Sequence, residues 1–403
     1  MDTLLSIAIP THNRARYAIH AITSILAIDS QKLELVVSDT STDGELEALV
    51  RQGKHPLCGD TRFKYLRPAE RLDMTGNHNN AIAAASGAFV CLIGDDDTIT
   101  ADLILAAEWA QANQIDVIAP TVMSNYVWPD FRSRHFGAGH AGRLYLPNRI
   151  GSLNYRQSSD SLAQALSNAA QGTDGLPKIY HGVVRRSVLE KVKQLSGAYF
   201  HGSSPDVSGA IGLAICTERF VEIDYPLTIP GASGGSNTGR SAMNQHKGKL
   251  SQEAQTKAFE TAGWSDGVPR FFSVETVWAH AALETIVKLA PENLRRFNFA
   301  RLIAVCEVLH KDYAGEIVQA VPMAASIVEM NEGAFLKKVA GERGQYRRQR
   351  FAKLLRRAMR PTVAGGREFK GGIDRVDLAP AVLEAHMQSR HWNWVDVVAG
   401  QQK

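Results

Sequence analysis

Ala88-Phe89-Val90-Cys91-Leu92-Ile93-Gly94-Asp95-Asp96-Asp97 places three adjacent carboxylates at the end of an apolar run. An apolar run of that length, with Gly87 before it, predicts a buried strand. The acids then stand where a central strand leaves the core. Like charges so close repel, and a cation would relieve the repulsion. Oxygen ligands suit Mg2+ or Mn2+, and such ions in turn bind diphosphates. The same residues also fit a solvated turn, with one Asp capping a helix near Thr98-Ile99-Thr100.

Outward from that run, strand and helix signals alternate. Residues 4–9 predict a strand stopped by Pro10-Thr11-His12-Asn13, residues 33–38 a second ending at Asp39, and residues 63–66 a short third. Helical periodicity lies between them at 17–26, 45–51 and 77–86. This βαβα rhythm predicts an α/β fold, a mostly parallel sheet with helices on both faces. Ligands of such sheets bind beyond the carboxyl ends of the strands. Pro10-Thr11-His12-Asn13, Asp39 and the acid run all fall at such ends, so three polar clusters converge on one edge.

Farther along, helices are expected at 102–114, 162–170, 187–195 and 205–214, and strands at 116–119, 179–184 and 219–223. Residues 123–154, rich in aromatics, Gly and Arg, predict loops and hairpins over the site. Residues 231–248 are dominated by Gly, Ser, Asn and Thr, which predicts a mobile lid. From 252 to about 340 the pattern is mainly helical.

The chain of 403 residues is long enough for two domains or one with an appendage, and 44% apolar residues exclude a disordered chain. Cys58, Cys91, Cys216 and Cys306 are widely spaced, without metal-ligand spacing, which predicts a reduced, cytoplasmic protein. The first residues lack a signal-peptide pattern, and no window approaches eighteen apolar residues. Residues 341–403 hold 13 Lys+Arg against 6 Asp+Glu, whereas the first 340 hold 32 against 35. The positive charge belongs to the tail and predicts a separate task for it.

Three motifs resemble family-2 glycosyltransferases of the GT-A fold. Ser6-Ile7-Ala8-Ile9-Pro10-Thr11-His12-Asn13-Arg14 resembles the opening strand and its exit. Leu35-Val36-Val37-Ser38-Asp39-Thr40-Ser41-Thr42-Asp43-Gly44 resembles the second strand. His78-Asn79-Asn80-Ala81-Ile82-Ala83-Ala84-Ala85-Ser86-Gly87 resembles the segment leading into the acids. The resemblance implies a nucleotide-diphosphate-sugar donor, with Pro10, Thr11, Arg14, Asp39 and Asn79 around the nucleoside. It implies that Asp95, Asp96 and Asp97 form the DxD element, which binds the ribose and Mn2+ or Mg2+. Gly94 replaces the family's first Asp, which leaves open which carboxylate holds the metal; Asp97 is the expected ligand, with Asp95 or Asp96 on the ribose. The implied general base for inverting transfer is Asp206, at a helix start; it would equally cap that helix. Asp174 and His201 are the alternatives.

His246, at the end of the Gly/Ser stretch, either closes over the donor as a further metal ligand, helped by Lys247, or is a solvated loop residue. Tyr126 and Trp128 either stack on an acceptor sugar or pack in the core. In 343–360, Phe351, Leu354, Leu355 and Met359 recur at helical spacing among Arg and Lys. That pattern suits an interfacial helix on an anionic membrane, or one packed on the protein or at a subunit contact. Trp392 and Trp394 would add anchoring or pack. The expected organisation is a catalytic domain over 1–240, a flexible loop with helices over 241–340, and a basic amphipathic helix with its tail over 341–403. The expected activity is metal-dependent, inverting transfer to a saccharide or lipid-linked saccharide in surface polysaccharide synthesis, peripheral on the inner face of the cell membrane. The alternatives are a nucleotidyltransferase, for which a Gly-rich phosphate loop is missing, and a non-enzymatic binder using the basic tail. No nucleic-acid partner is expected.

Overall fold

Successive side chains of a strand point to opposite faces, and here both faces are apolar. Ile7, Ile9, Leu35, Val37, Phe89 and Cys91 enter one core; Ala8, Val36, Val90 and Leu92 enter another on the opposite face. Strands apolar on both sides belong inside a covered, mostly parallel sheet. The computed structural model contains that sheet and describes residues 3–51, 59–151, 153–243, 246–359 and 362–399. Cys58, Asn244, Gln245, Arg360 and Pro361 lie outside these residues.

The sheet's strands are β1 (Leu5–Thr11), β2 (Leu33–Asp39), β3 (Phe63–Leu66), β4 (Phe89–Leu92), β5 (Val117–Pro120), β6 (Leu153–Gln157), β7 (Val183–Arg185) and β8 (Arg219–Ile223). Their order is β3-β2-β1-β4-β7-β5-β8-β6. The first four are mutually parallel, as are β5 and β8, whereas β7 and β6 run antiparallel to their neighbours. The helices among them are α1 (Ala15–Leu26), α2 (Glu45–Arg51), α3 (Met74–Ala84), α4 (Asp102–Ala112), α5 (Ser158–Ser167), α6 (Arg186–Ser196) and α7 (Pro205–Cys216). α1 and α4 cover one face, α3 and α6 the other.

The strand expected to stop at Pro10 continues through Thr11, which pairs with Asp39. β4 pairs with β1 only as far as Ala8, so the N–H that proline lacks is not needed on that side. The strand expected over 179–184 is mostly a turn: only a bridge from Leu92 to Tyr180 precedes β7. In the expected lid over 231–248, the described residues form strands and a helix. Gly231–Ala232 pairs with Asn125–Val127, α8 (Asn237–Ala242) is capped by Ser236, and Lys247–Gly248 pairs with Phe272–Ser273. A side chain at Gly231 would lie 1.8 Å from the Asp96 carbonyl oxygen, so only glycine lets this strand approach the acids. The expected hairpin region forms an antiparallel pair, Asn125–Val127 with Arg143–Tyr145.

The C-terminal part is mainly helical, with α9 (Lys257–Ala262), α10 (Val274–Leu289), α11 (Phe299–Leu309), α12 (Ala314–Ile327) and α13 (Glu332–Ala358), then α14 (Ala379–Ser389) and α15 (Trp394–Ala399). α7, α10, α11, α12 and the start of α13 share a third core. α13 crosses residue 341 unbroken. The tail beyond it returns to the first core through Ile373, Val376, Leu383, Met387 and Trp394. Trp394 meets Trp109 and Tyr225 edge-on, and the partly buried Trp392 packs against the same core. No described helix is long and apolar enough to cross a membrane. Cys91, Cys216 and Cys306 are buried thiols.

Candidate active site

β1 and β2 end side by side, and α3 pegs them. Asn77 Nδ2 donates to the Thr11 carbonyl at 3.0 Å, and Ser38 Oγ donates to Asn77 Oδ1 at 2.6 Å. Asp39 is fully buried and accepts from Tyr65 Oη (2.6 Å) and its own turn's Ser41 N–H (2.8 Å), with Arg67 Nη1 at 3.8 Å. Asn79, expected on the nucleoside, lies on α3. Among the described residues its amide holds the backbone of Tyr199 and Phe200 and the Thr75 carbonyl.

Arg14 stands at the start of α1 and reaches the acid run. Its Nε lies 2.6 Å from Asp95 Oδ1 and its Nη2 3.0 Å from Asp96 Oδ2. Burial weakens its charge, but attraction by Asp95 and Asp96 outweighs this and raises its pKa. Thr11 Oγ1 donates to Asp95 Oδ2 at 2.6 Å, and Ser233 donates to Asp96 Oδ2 from Oγ at 2.6 Å and N–H at 3.1 Å. Trp128 Nε1 donates to the Asp96 carbonyl at 3.0 Å. Tyr126 and Trp128 are both buried, so they pack beneath the site rather than face a sugar.

The three carboxylates, all buried, differ in surroundings. Asp97 accepts from the N–H groups of Gly231 and Gly94, both at 2.6 Å, and from Tyr180 Oη at 3.2 Å, with His181 Nε2 also at 3.2 Å. Burial alone would raise its pKa, but His181 and the two N–H groups lower it. Asp96 is pushed up to about 7 by burial, with Asp97 and Asp95 raising it further against Arg14 and Ser233. Burial also raises Asp95, against Arg14 and Thr11. Among the described residues nothing donates to Asp96 Oδ1. Both oxygens of Asp97 thus accept hydrogen bonds within the fold, whereas the donors to Asp96 reach its Oδ2. A side chain at Gly94 would lie 2.6 Å from Tyr180 Oη, so that hydroxyl occupies the space of the missing first Asp.

Asp206 sits in the first turn of α7, half-buried, and accepts a short hydrogen bond from Ser204 Oγ. Tyr180, which donates to Asp97, feels the charge of Asp206 as well. Burial keeps this phenol protonated, and the charges of Asp97, Asp96, Asp206 and Asp95 all bear on it. Among the described residues, Asp97 is the carboxylate that this hydroxyl touches. The alternatives to Asp206 lie apart: His201 is buried against Ser196 Oγ at 2.8 Å, with its pKa lowered to about 4 by burial and Lys288. Asp174 lines a polar cleft of about 510 Å³ between α5, α11 and α13.

His246 stacks on Phe272 at 4.6 Å and bonds Ser241 Oγ, and Lys247 pairs with Asp312. Among the described residues no three His, Cys, Asp or Glu side chains form a group that could hold a metal. The expected set of Asp97, Asp95 and His246 is therefore not assembled. Tyr180, His181, Asn77 and Ser233 were missed in the sequence.

Residues 6–169 match the family described as Glycosyl transferase family 2. A Campylobacter jejuni protein named GalNAc(5)-diNAcBac-PP-undecaprenol beta-1,3-glucosyltransferase is 35% identical over 96 residues, which is 24% of this chain and 30% of that one. Glycosyltransferase GlyG of Streptococcus pneumoniae is 27% identical over 130 residues, 31% of this chain and 40% of that one. The chain thus spans less than half the length of these curated relatives. Among solved structures, S. aureus TarS 1-349 in complex with UDP-GlcNAc has 16% identity and a TM-score of 0.47, covering 96% of this chain and 92% of that one. The mannosyltransferase PcManGT from Pyrobaculum calidifontis, in complex with GDP-Man and Mn2+, has 18% identity and a TM-score of 0.39, covering 85% and 87%. Residues 6–169, from β1 through α5 with the motifs at the strand ends, thus form a region that matches glycosyl transferase family 2.

Proposed function

We propose that the chain moves a sugar from a nucleotide-diphosphate donor to a saccharide or lipid-linked saccharide acceptor, with inversion, in surface polysaccharide synthesis. The observation that carries this reading is the buried Asp95-Asp96-Asp97 run gripped by Arg14 and Thr11, beside the paired strand ends of Thr11 and Asp39. The acceptor class follows the undecaprenol-linked substrate in the name of the Campylobacter relative. A lipid-linked acceptor would place the protein at the inner face of the cell membrane.

The acceptor hydroxyl attacks the anomeric carbon as its proton passes to Asp206, and the bond to the diphosphate breaks on the opposite face. Asp39 and Thr11 hold the nucleoside side. Mg2+ or Mn2+, typically held by one or two carboxylates plus substrate phosphates, fits Asp96 through its free Oδ1, with Asp95 beside it. Bound there, the ion supplies charge neutralisation for the departing diphosphate. Arg14 supplies a second positive charge from the protein itself. Tyr180 and His181 keep Asp97 fixed, so the acid turn holds its shape while donor binds. Screening a panel of nucleotide sugars with Mn2+ for hydrolysis and for a rise in Tm tests the reading. One donor should stand out; a panel without any response would overturn it.

A further inference from the structure

The far half of α13 carries an exposed apolar stripe. Phe335 and Val339 near its start are buried, and Arg343 still pairs with Glu307 of α11. Beyond that, Phe351, Leu354, Leu355 and Met359 are between 56% and 69% exposed. Their spacing of three, four and eight residues from Phe351 puts them on one face of the helix. Arg350 and Arg356 flank that face, Arg347 and Arg348 precede it by a turn and Lys353 lies opposite, and among the described residues none of the five has an ion pair. No acidic residue occurs from 343 to 359. Arg357 differs: it donates to the Thr362 carbonyl and lies over Phe136, tying the helix end to the sheet domain.

An exposed apolar stripe flanked by unopposed cations suits the boundary between lipid headgroups and acyl chains, where apolar residues enter and Lys and Arg meet anionic headgroups. The same face of a second copy would bring like charges together. A nucleic-acid backbone would use the cations and leave the stripe in water. We infer that the 347–359 half of α13 docks the protein on an anionic phospholipid surface, with Phe351, Leu354, Leu355 and Met359 inserted. This surface is separate from the acid site and does not rest on the transfer reaction.

Co-sedimentation of the full chain with vesicles of phosphatidylglycerol and phosphatidylcholine in equal parts, against phosphatidylcholine alone, tests it. At least about tenfold tighter binding to the anionic vesicles is expected, weakening with salt. The triple variant Phe351→Ser, Leu354→Ser, Leu355→Ser should lose about tenfold in affinity with an unchanged Tm, because these side chains are exposed. Arg347→Glu with Arg350→Glu should lose as much. Equal binding to both vesicle types, or full binding by the triple variant, overturns the inference. So does a wild-type dimer that the triple variant dissociates, or duplex RNA binding tighter than vesicle binding and unchanged by that variant.

Discussion

Arg14 Nε lies 2.6 Å from Asp95 Oδ1 in a site that holds three buried carboxylates. The guanidinium is the fold's own counter-ion for the acid run, and it also grips Ser233 at 2.8 Å. Removing one partner of a buried pair leaves an uncompensated charge, at a cost of about 3–5 kcal/mol. Arg14→Gln should therefore lower stability by an amount of that order in denaturant unfolding. A cation supplied from solution would then matter more. Millimolar Mn2+ should raise the Tm of Arg14→Gln by more than that of wild type. Equal shifts would show that the acid run does not draw the ion.

Among the described residues Asp206 is held by Ser204 and its helix, so its amide analogue should fold normally. Asp206→Asn should lower kcat by about 10²–10⁴-fold, the usual span for a lost general base. Donor affinity should stay within about twofold by calorimetry, because the residue acts on the acceptor. Substantial turnover in this variant would remove Asp206 from the role.

His280 lies in the helical core, stacked on Trp264 at 4.1 Å, and burial lowers its pKa to about 3. Its Nδ1 accepts from Ser265 N–H at 3.2 Å, so the neutral ring is the one that fits. Between about pH 6.5 and 3 the unfolded chain binds a proton at this residue that the folded chain refuses. The stability it allows is thus full above pH 6.5 and falls as pH drops towards 3, by about 3 kcal/mol at pH 4. His201, lowered to about 4, acts in the same direction. In His280→Leu, the proton uptake on unfolding between pH 5 and 6 should fall by about one. An unchanged pH slope in that variant would contradict it.

The sheet was legible because its strands are apolar on both faces, a pattern that periodicity detects. The acid run, Thr11, Arg14 and Asp39 were legible because each sits at the end of such a strand. The helix of Asp206 was marked by Pro205 at its first turn. Tyr180 and His181 were not legible, since they meet Asp97 across more than eighty residues and through a turn that resembled a strand. Asn77 and Asn79 are two residues apart on one helix, so they face different ways. Composition alone cannot say that Asn77 pegs the strand ends while Asn79 holds Tyr199 and Phe200. The Gly- and Ser-rich stretch around Gly231 resembled a free loop because its stabilising partners, Asp96 and Asp97, lie far back in the chain.

The central claim is that the acid run binds a cation and diphosphate through Asp96, while Asp97 holds the turn together. Calorimetric titration of UDP with Mn2+ into wild type, Asp96→Asn and Asp97→Asn, beside denaturant unfolding of each, tests it most directly. Asp96→Asn should lose the Mn2+-dependent part of the binding and keep its stability within about 1 kcal/mol, because one of three mutually repelling buried charges is gone. Asp97→Asn should lose about 2–3 kcal/mol of stability, because an amide cannot replace a carboxylate that accepts two backbone N–H groups and faces His181. Mn2+-dependent UDP binding that survives in Asp96→Asn but disappears in a stably folded Asp97→Asn would contradict the account.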